Sequence, residues 1–236
     1  MTDGQLTFDL GHQPALGRED FLVAACNAEA VAWLERWPDW PAHALALFGP
    51  AGCGKTHLLS AFAQRHAGEG VARIAAAHLK TEALPRLLAG VRLVLVDELD
   101  SLADEAALFH LWNLVKETGR FLVLSGREAP ARLPVKIADL RSRLAATPAV
   151  GIGAPDDTLL AALLVKQFAD RQLRVGEDVV GWLLGRIERS FAAVGAVVDA
   201  LDRASLAERR PVTVPLARLV LDGLSDERQG ELDWDR

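Results

Sequence analysis

The run Gly49-Pro50-Ala51-Gly52-Cys53-Gly54-Lys55-Thr56 fits G-x-x-x-x-G-K-[ST] at every fixed position. It stands between a short apolar run, residues 44–48, and a helical pattern over residues 56–66, the context in which such a run works as a phosphate-binding loop. Glycines let backbone N–H groups turn inward around phosphate oxygens, and the following helix adds the partial positive charge of its N-terminus. Lys55 would then reach the β- and γ-phosphates, and the Thr56 hydroxyl would ligate Mg2+. The chemistry implied is the holding of ADP or ATP with Mg2+.

A second polar group follows about forty residues later. Leu93-Val94-Leu95-Val96 is an apolar run ending on Asp97 and Glu98. At the C-terminal edge of a parallel sheet the first acid can hold Mg2+ through water and the second can polarise an attacking water. Both acids could instead cap a strand end in solvent. Ser125 ends a third apolar run, Phe121-Leu122-Val123-Leu124. There it either sits between a water and the γ-phosphate or serves the turn before Gly126. Asp139-Leu140-Arg141-Ser142-Arg143-Leu144 reads as a short amphipathic helix after Pro134. An arginine there can neutralise charge on a neighbour's phosphates, or the helix can be a plain solvated face.

The elements that must position these groups follow from periodicity. A helix is expected over residues 20–40, strands over 44–48, 71–75, 93–96 and 121–124, and helices over 56–66 and 104–117, with a weak one near 81–88. Strands alternating with helices argue for an α/β domain with a parallel sheet. Beyond Pro155 the pattern is helical only, over residues 156–171, 176–189 and 191–208, with a short fourth helix near 215–224. The expected division is an arm over 1–18, an α/β domain over 19–154, a helical domain over 155–224 and an acidic tail over 225–236. The chain has 236 residues, half apolar and a quarter charged, with a net charge of −6. That acidity counts against gripping duplex DNA through its own surface. Cys26 and Cys53 lie far apart, which suits a reducing cytoplasm. No apolar run approaches the ~18 residues of a membrane span, and the first residues lack the pattern of a signal peptide.

Together these residues resemble the AAA+ family, and within it the DnaA-related branch and its Hda group of regulators. The marks are Gly54-Lys55-Thr56-His57-Leu58-Leu59, Phe21-Leu22-Val23 followed by Asn27, the 139–144 run, and Leu201-Asp202-Arg203-Ala204-Ser205-Leu206. The resemblance spans about residues 5–224 and implies an AAA+ parallel sheet flanked by helices with a small all-helical lid. It implies that Gly49, Pro50, Ala51, Gly52, Cys53, Gly54, Lys55, Thr56 and His57 surround the phosphates. Asp97 and Thr56 would then hold Mg2+, and Val23 and Asn27 would meet the base. It further implies that Arg143 is an arginine finger presented to ATP on DnaA. Three departures stand out: Ala24 replaces a small glycine, Arg127 stands where relatives often carry Asp, and Ala192 stands at the lid's sensor arginine. Arg189, one helical turn before Ala192, is the candidate replacement. The departures weaken the expectation of turnover more than that of nucleotide binding.

Gln5-Leu6-Thr7-Phe8-Asp9-Leu10 is similar to the hexapeptides that dock on the sliding clamp of DNA polymerase III, its beta subunit. The Gln5 amide would enter a polar pocket, with Leu6, Phe8 and Leu10 as apolar anchors. The resemblance therefore implies a cytoplasmic negative regulator of replication initiation with weak turnover of its own, whose partners are DnaA and the clamp. Self-assembly is open, and DNA would be reached indirectly. An autonomous AAA+ ATPase such as a helicase loader, or a nucleotide-locked scaffold, remain the alternatives.

Overall fold

The central strands of the sheet serve two cores, because alternate side chains point to opposite faces. The computed structural model describes the backbone of residues 22–232 and the side chains of residues 22–223. In chain order these residues form α1 (Ala28–Glu35), β1 (Ala44–Phe48), α2 (Lys55–Arg65), β2 (Val71–Ala75), α3 (Leu84–Leu87), β3 (Leu93–Asp97), α4 (Glu105–Glu117), β4 (Phe121–Gly126), α5 (Ala138–Ala145) and β5 (Ala149–Gly151). The chain divides at Ala154 and Pro155, and α6 (Asp157–Asp170), α7 (Glu177–Leu184), α8 (Phe191–Glu208) and α9 (Val214–Leu232) form the second unit.

The five strands are all parallel, in the order β2-β3-β4-β1-β5. On one face Leu45, Leu47, Leu93, Leu95 and Val123 pack with Leu34 of α1 and Leu58, Leu59 and Phe62 of α2. On the other, Ala44, Ala46, Val94, Val96, Leu122 and Leu124 pack with Leu108 and Leu111 of α4 and Leu140 and Leu144 of α5. Each fully buried Leu or Phe contributes about 1.5–3 kcal/mol, so the helix after the phosphate loop is anchored by its apolar side. The helical unit has its own core, with Leu164 and Phe168 of α6, Leu183 of α7, Val197 and Val198 of α8, and Leu216 of α9.

The expected α/β sheet and all-helical lid are both present, but several bounds differ. The helix expected over 20–40 is only α1. Its start is set by Asn27, whose Oδ1 accepts from Ala24 N and whose Nδ2 donates to Leu22 O, closing a turn. Its end is held by Trp40, whose indole N–H donates to Trp33 O at 2.7 Å. Strand β5 went unexpected because three residues carry no readable period; it exists through its pairing with β1. The helix expected over 176–189 ends at Leu184, and the fourth lid helix, expected to stop at 224, continues to Leu232 through the stretch read as tail.

Candidate functional site

β1 delivers the chain to Gly49, and α2 begins at Lys55. An added Cβ at Gly49 would lie 2.1 Å from the carbonyl oxygen of Ile152, so no other residue fits that close approach. Gly54 holds φ 93° at the N-cap of α2, a left-handed conformation that glycine adopts without steric cost. Lys55 Nζ donates to the carbonyls of Gly49 at 2.7 Å and Pro50 at 2.9 Å, bracing the loop. Its third acceptor is Cys53 Sγ at 3.5 Å, a weak one that a phosphate oxygen would displace. Cys53 turns inward and joins the core under α1 and α2.

Parallel pairing then sets the acids beside the loop. Ala51, Gly52, Lys55 and Thr56 line one side of a cleft of about 510 Å³, and Asp97, Glu98, Asp100, Ser101 and Arg127 line the other. That volume suits a small-molecule ligand. Asp97 is the best-held group in it, with 4% of its side chain exposed. Its Oδ1 accepts from Ser125 Oγ and from Glu98 N, and its Oδ2 accepts from Arg73 Nη2 at 2.8 Å. The Thr56 hydroxyl also bonds to the carboxylate. Burial alone would push the Asp97 carboxyl up, but bonds from Ser125, Thr56 and Arg73, with the Arg73 charge, hold it below the ordinary value. Thr56 and Asp97 are thus adjacent hard oxygen donors, a set that fits a Mg2+ ion shared with phosphate.

Glu98 is exposed and left-handed, at φ 58° and ψ 52°. Such a conformation costs a non-glycine residue about 1–2 kcal/mol, and here it turns the side chain of residue 98 away from the line of β3. Ser125 is 1% exposed and spends its hydroxyl on Asp97. That is a third role beside the two expected of it: β4 lies between β1 and β3, so its end meets the acid rather than the cleft.

The comparisons with known proteins fit this geometry. Residues 156–221 match the family model described as the Hda lid domain. A protein of Haemophilus influenzae described as uncharacterized is 29% identical over 185 residues, 75% of this chain and 80% of that protein. Domain III of the replication initiation protein DnaA of Thermotoga maritima superposes with a TM-score of 0.76 at 19% identity, covering 89% of this chain and 97% of that one. AMPPCP-bound DnaA from Aquifex aeolicus gives 0.66 at 19%, covering 92% of this chain and 71% of that one.

Residues 156–221 thus match the Hda lid, and the described chain has the AAA+ fold of these DnaA structures.

The remaining expected site positions fall unevenly. His57 is exposed on the first turn of α2. Val23 packs against the core beside α1, while Asn27 is 2% exposed and uses its amide to close its own turn. Of the two arginines on α5, Arg141 is exposed and Arg143 is not. Arg143 bonds to Asn113 Oδ1 and lies over the Phe109 ring at 4.7 Å, both on α4, so it departs from the plain solvated face. The premise that Arg189 shares a helical face with Ala192 is overturned. α7 ends at Leu184, Ser190 is the extended N-cap of α8, and Arg189 pairs with Asp157 at 3.0 Å in the lid. Gln5, Leu6, Phe8, Leu10 and Phe21 lie outside the described residues. Arg73 was not anticipated. Its signal was there to read: a single charge inside the otherwise apolar strand Val71–Ala75.

Proposed function

We propose that this protein is an Hda-like negative regulator of replication initiation. It holds ADP or ATP in the cleft between the phosphate loop and Asp97. It docks on the sliding clamp through Gln5, Leu6, Phe8 and Leu10, and it presents Arg143 to ATP bound by DnaA. The observation that carries this reading is the Hda lid match joined to a phosphate loop whose Lys55, Thr56 and Asp97 converge on one cleft. The likeness to AMPPCP-bound DnaA supports an adenine nucleotide as the ligand.

Within the site, loop N–H groups and Lys55 bind phosphate, while Thr56 and Asp97 would hold Mg2+. The bound ion would neutralise phosphate charge. Ser125 and Arg73 keep Asp97 ionised and oriented. Arg143 acts elsewhere, on the partner's nucleotide, where a guanidinium stabilises charge as the terminal phosphoryl group leaves. Its link to Asn113 and its stacking on Phe109 limit the rotamers it must give up.

The test is ATP hydrolysis by DnaA in the presence of this protein and DNA-loaded clamp. Arg143→Ala should return the stimulated rate toward DnaA's own, a loss on the order of a thousandfold where a finger acts in trans. Unchanged stimulation would overturn the finger. Replacing Gln5 and Leu6 with Ala should remove clamp binding while leaving the thermal unfolding curve in place, and retained affinity would overturn docking. A second reading, an autonomous ATPase, is favoured by Glu98 standing in the cleft where it could polarise water. It predicts turnover by the purified chain that Glu98→Gln abolishes.

A further inference from the structure

We propose that Arg73 is a built-in counter-cation for Asp97 that lowers the dependence of nucleotide binding on Mg2+. This rests on the reading of the cleft as a nucleotide site.

Strand register makes the placement unavoidable. Arg73 pairs with Leu95 across β2 and β3, and Ala75 pairs with Asp97, so residues 73 and 97 lie one step apart on the same face. The guanidinium bridges two elements of the cleft. Nη2 donates to Asp97 Oδ2, and Nη1 donates to Ser60 Oγ on α2. Ser60 in turn donates to the carbonyl of Thr56 at 2.7 Å. Arg73 is thereby tied to both residues that would hold the ion.

Two consequences follow. First, both carboxylate oxygens of Asp97 are engaged: Oδ1 by Ser125 and Glu98, and Oδ2 by a charge-assisted bond of the stronger kind. The waters of a Mg2+ ion must compete with Arg73 for Oδ2. Second, the cleft is lined by three carboxylates, Asp97, Glu98 and Asp100, against two cations, Lys55 and Arg127. Arg73, bonded to Asp97, brings that balance to neutral. A neutral cleft attracts a divalent cation less than one with an acidic excess.

The test is calorimetric titration of ADP into the full chain, in Mg2+ and in EDTA. For the natural protein the two affinities should agree within about threefold. Arg73→Met should widen the ratio to about tenfold or more in favour of Mg2+, since one positive charge beside the carboxylate is gone. Arg73→Lys, which keeps the charge, should stay near the natural ratio and serves if the Met variant unfolds. Arg73→Met with the natural ratio would overturn the proposal and leave Arg73 a structural tie between β2, β3 and α2. A natural protein with a tenfold ratio of its own would overturn it as well. Failure of the natural protein to bind ADP in either buffer would instead overturn the nucleotide reading, and the proposal with it.

Discussion

Replacing Asp97 with Asn tests how much the buried acid contributes to the fold. Four donors face this carboxylate: Ser125 Oγ–H, the Thr56 hydroxyl, Glu98 N–H and Arg73 Nη2–H. Asn keeps the shape but offers one acceptor and one donor, so some of these groups lose their acceptor. A buried donor left without a partner costs about 1–3 kcal/mol, and a bond to a charged group contributes about 1.5–3 kcal/mol. Arg73 is 35% exposed, so water recovers part of its loss, and the two hydroxyls can rotate to accept. We expect a net loss of about 2–3 kcal/mol near neutral pH. Urea unfolding followed by tryptophan fluorescence suits the measurement, since Trp33, Trp37, Trp40 and Trp112 belong to the sheet unit. The midpoint should fall with the slope unchanged. The sign of the pH dependence is fixed by the lowered carboxyl of Asp97. Its stabilisation is complete above the ordinary value of 3.8 and is lost as pH falls through the folded-state value below that. The gap between the natural protein and the Asn variant should therefore persist across the neutral range and close only in strong acid. Equal midpoints at neutral pH, or a gap that stays constant into strong acid, would refute the reasoning.

Gly49→Ala should cost at least about tenfold in ADP affinity by calorimetry, because its Cβ would meet the Ile152 carbonyl at 2.1 Å and the loop must shift; unchanged affinity would show the loop yields freely. Ser190→Ala removes the side-chain cap of α8, a bond to Ala193 N at 3.1 Å, and should cost about 1 kcal/mol, seen as faster amide exchange at Ala193 without change in ADP binding. Asn113→Ala frees Arg143 from its tie to α4 and should lower stimulated hydrolysis by DnaA about ten- to a hundredfold, with ADP binding by this chain unmoved.

The sequence by itself determined the local features. The phosphate loop is a contiguous run whose glycines and lysine specify their own backbone. Strand β2 was readable to the residue, and β3 and β4 to within two, because short apolar runs between breakers have one reading in an α/β chain. Only the tertiary structure decided what meets what. Arg73 stands 24 residues from Asp97, and Ser125 stands 28 residues beyond it. No local pattern joins such residues; parallel pairing in the order β2-β3-β4 does. β5 is a strand because β1 supplies its partner, and α1 is short because Asn27 and Trp40 spend their polar groups on its ends. Arg143 and Arg189 show the same division. Both were singled out from sequence, yet the first is packed on α4 and the second is tied to Asp157. A side chain's role depends on the neighbours that reach it, and those come from distant parts of the chain.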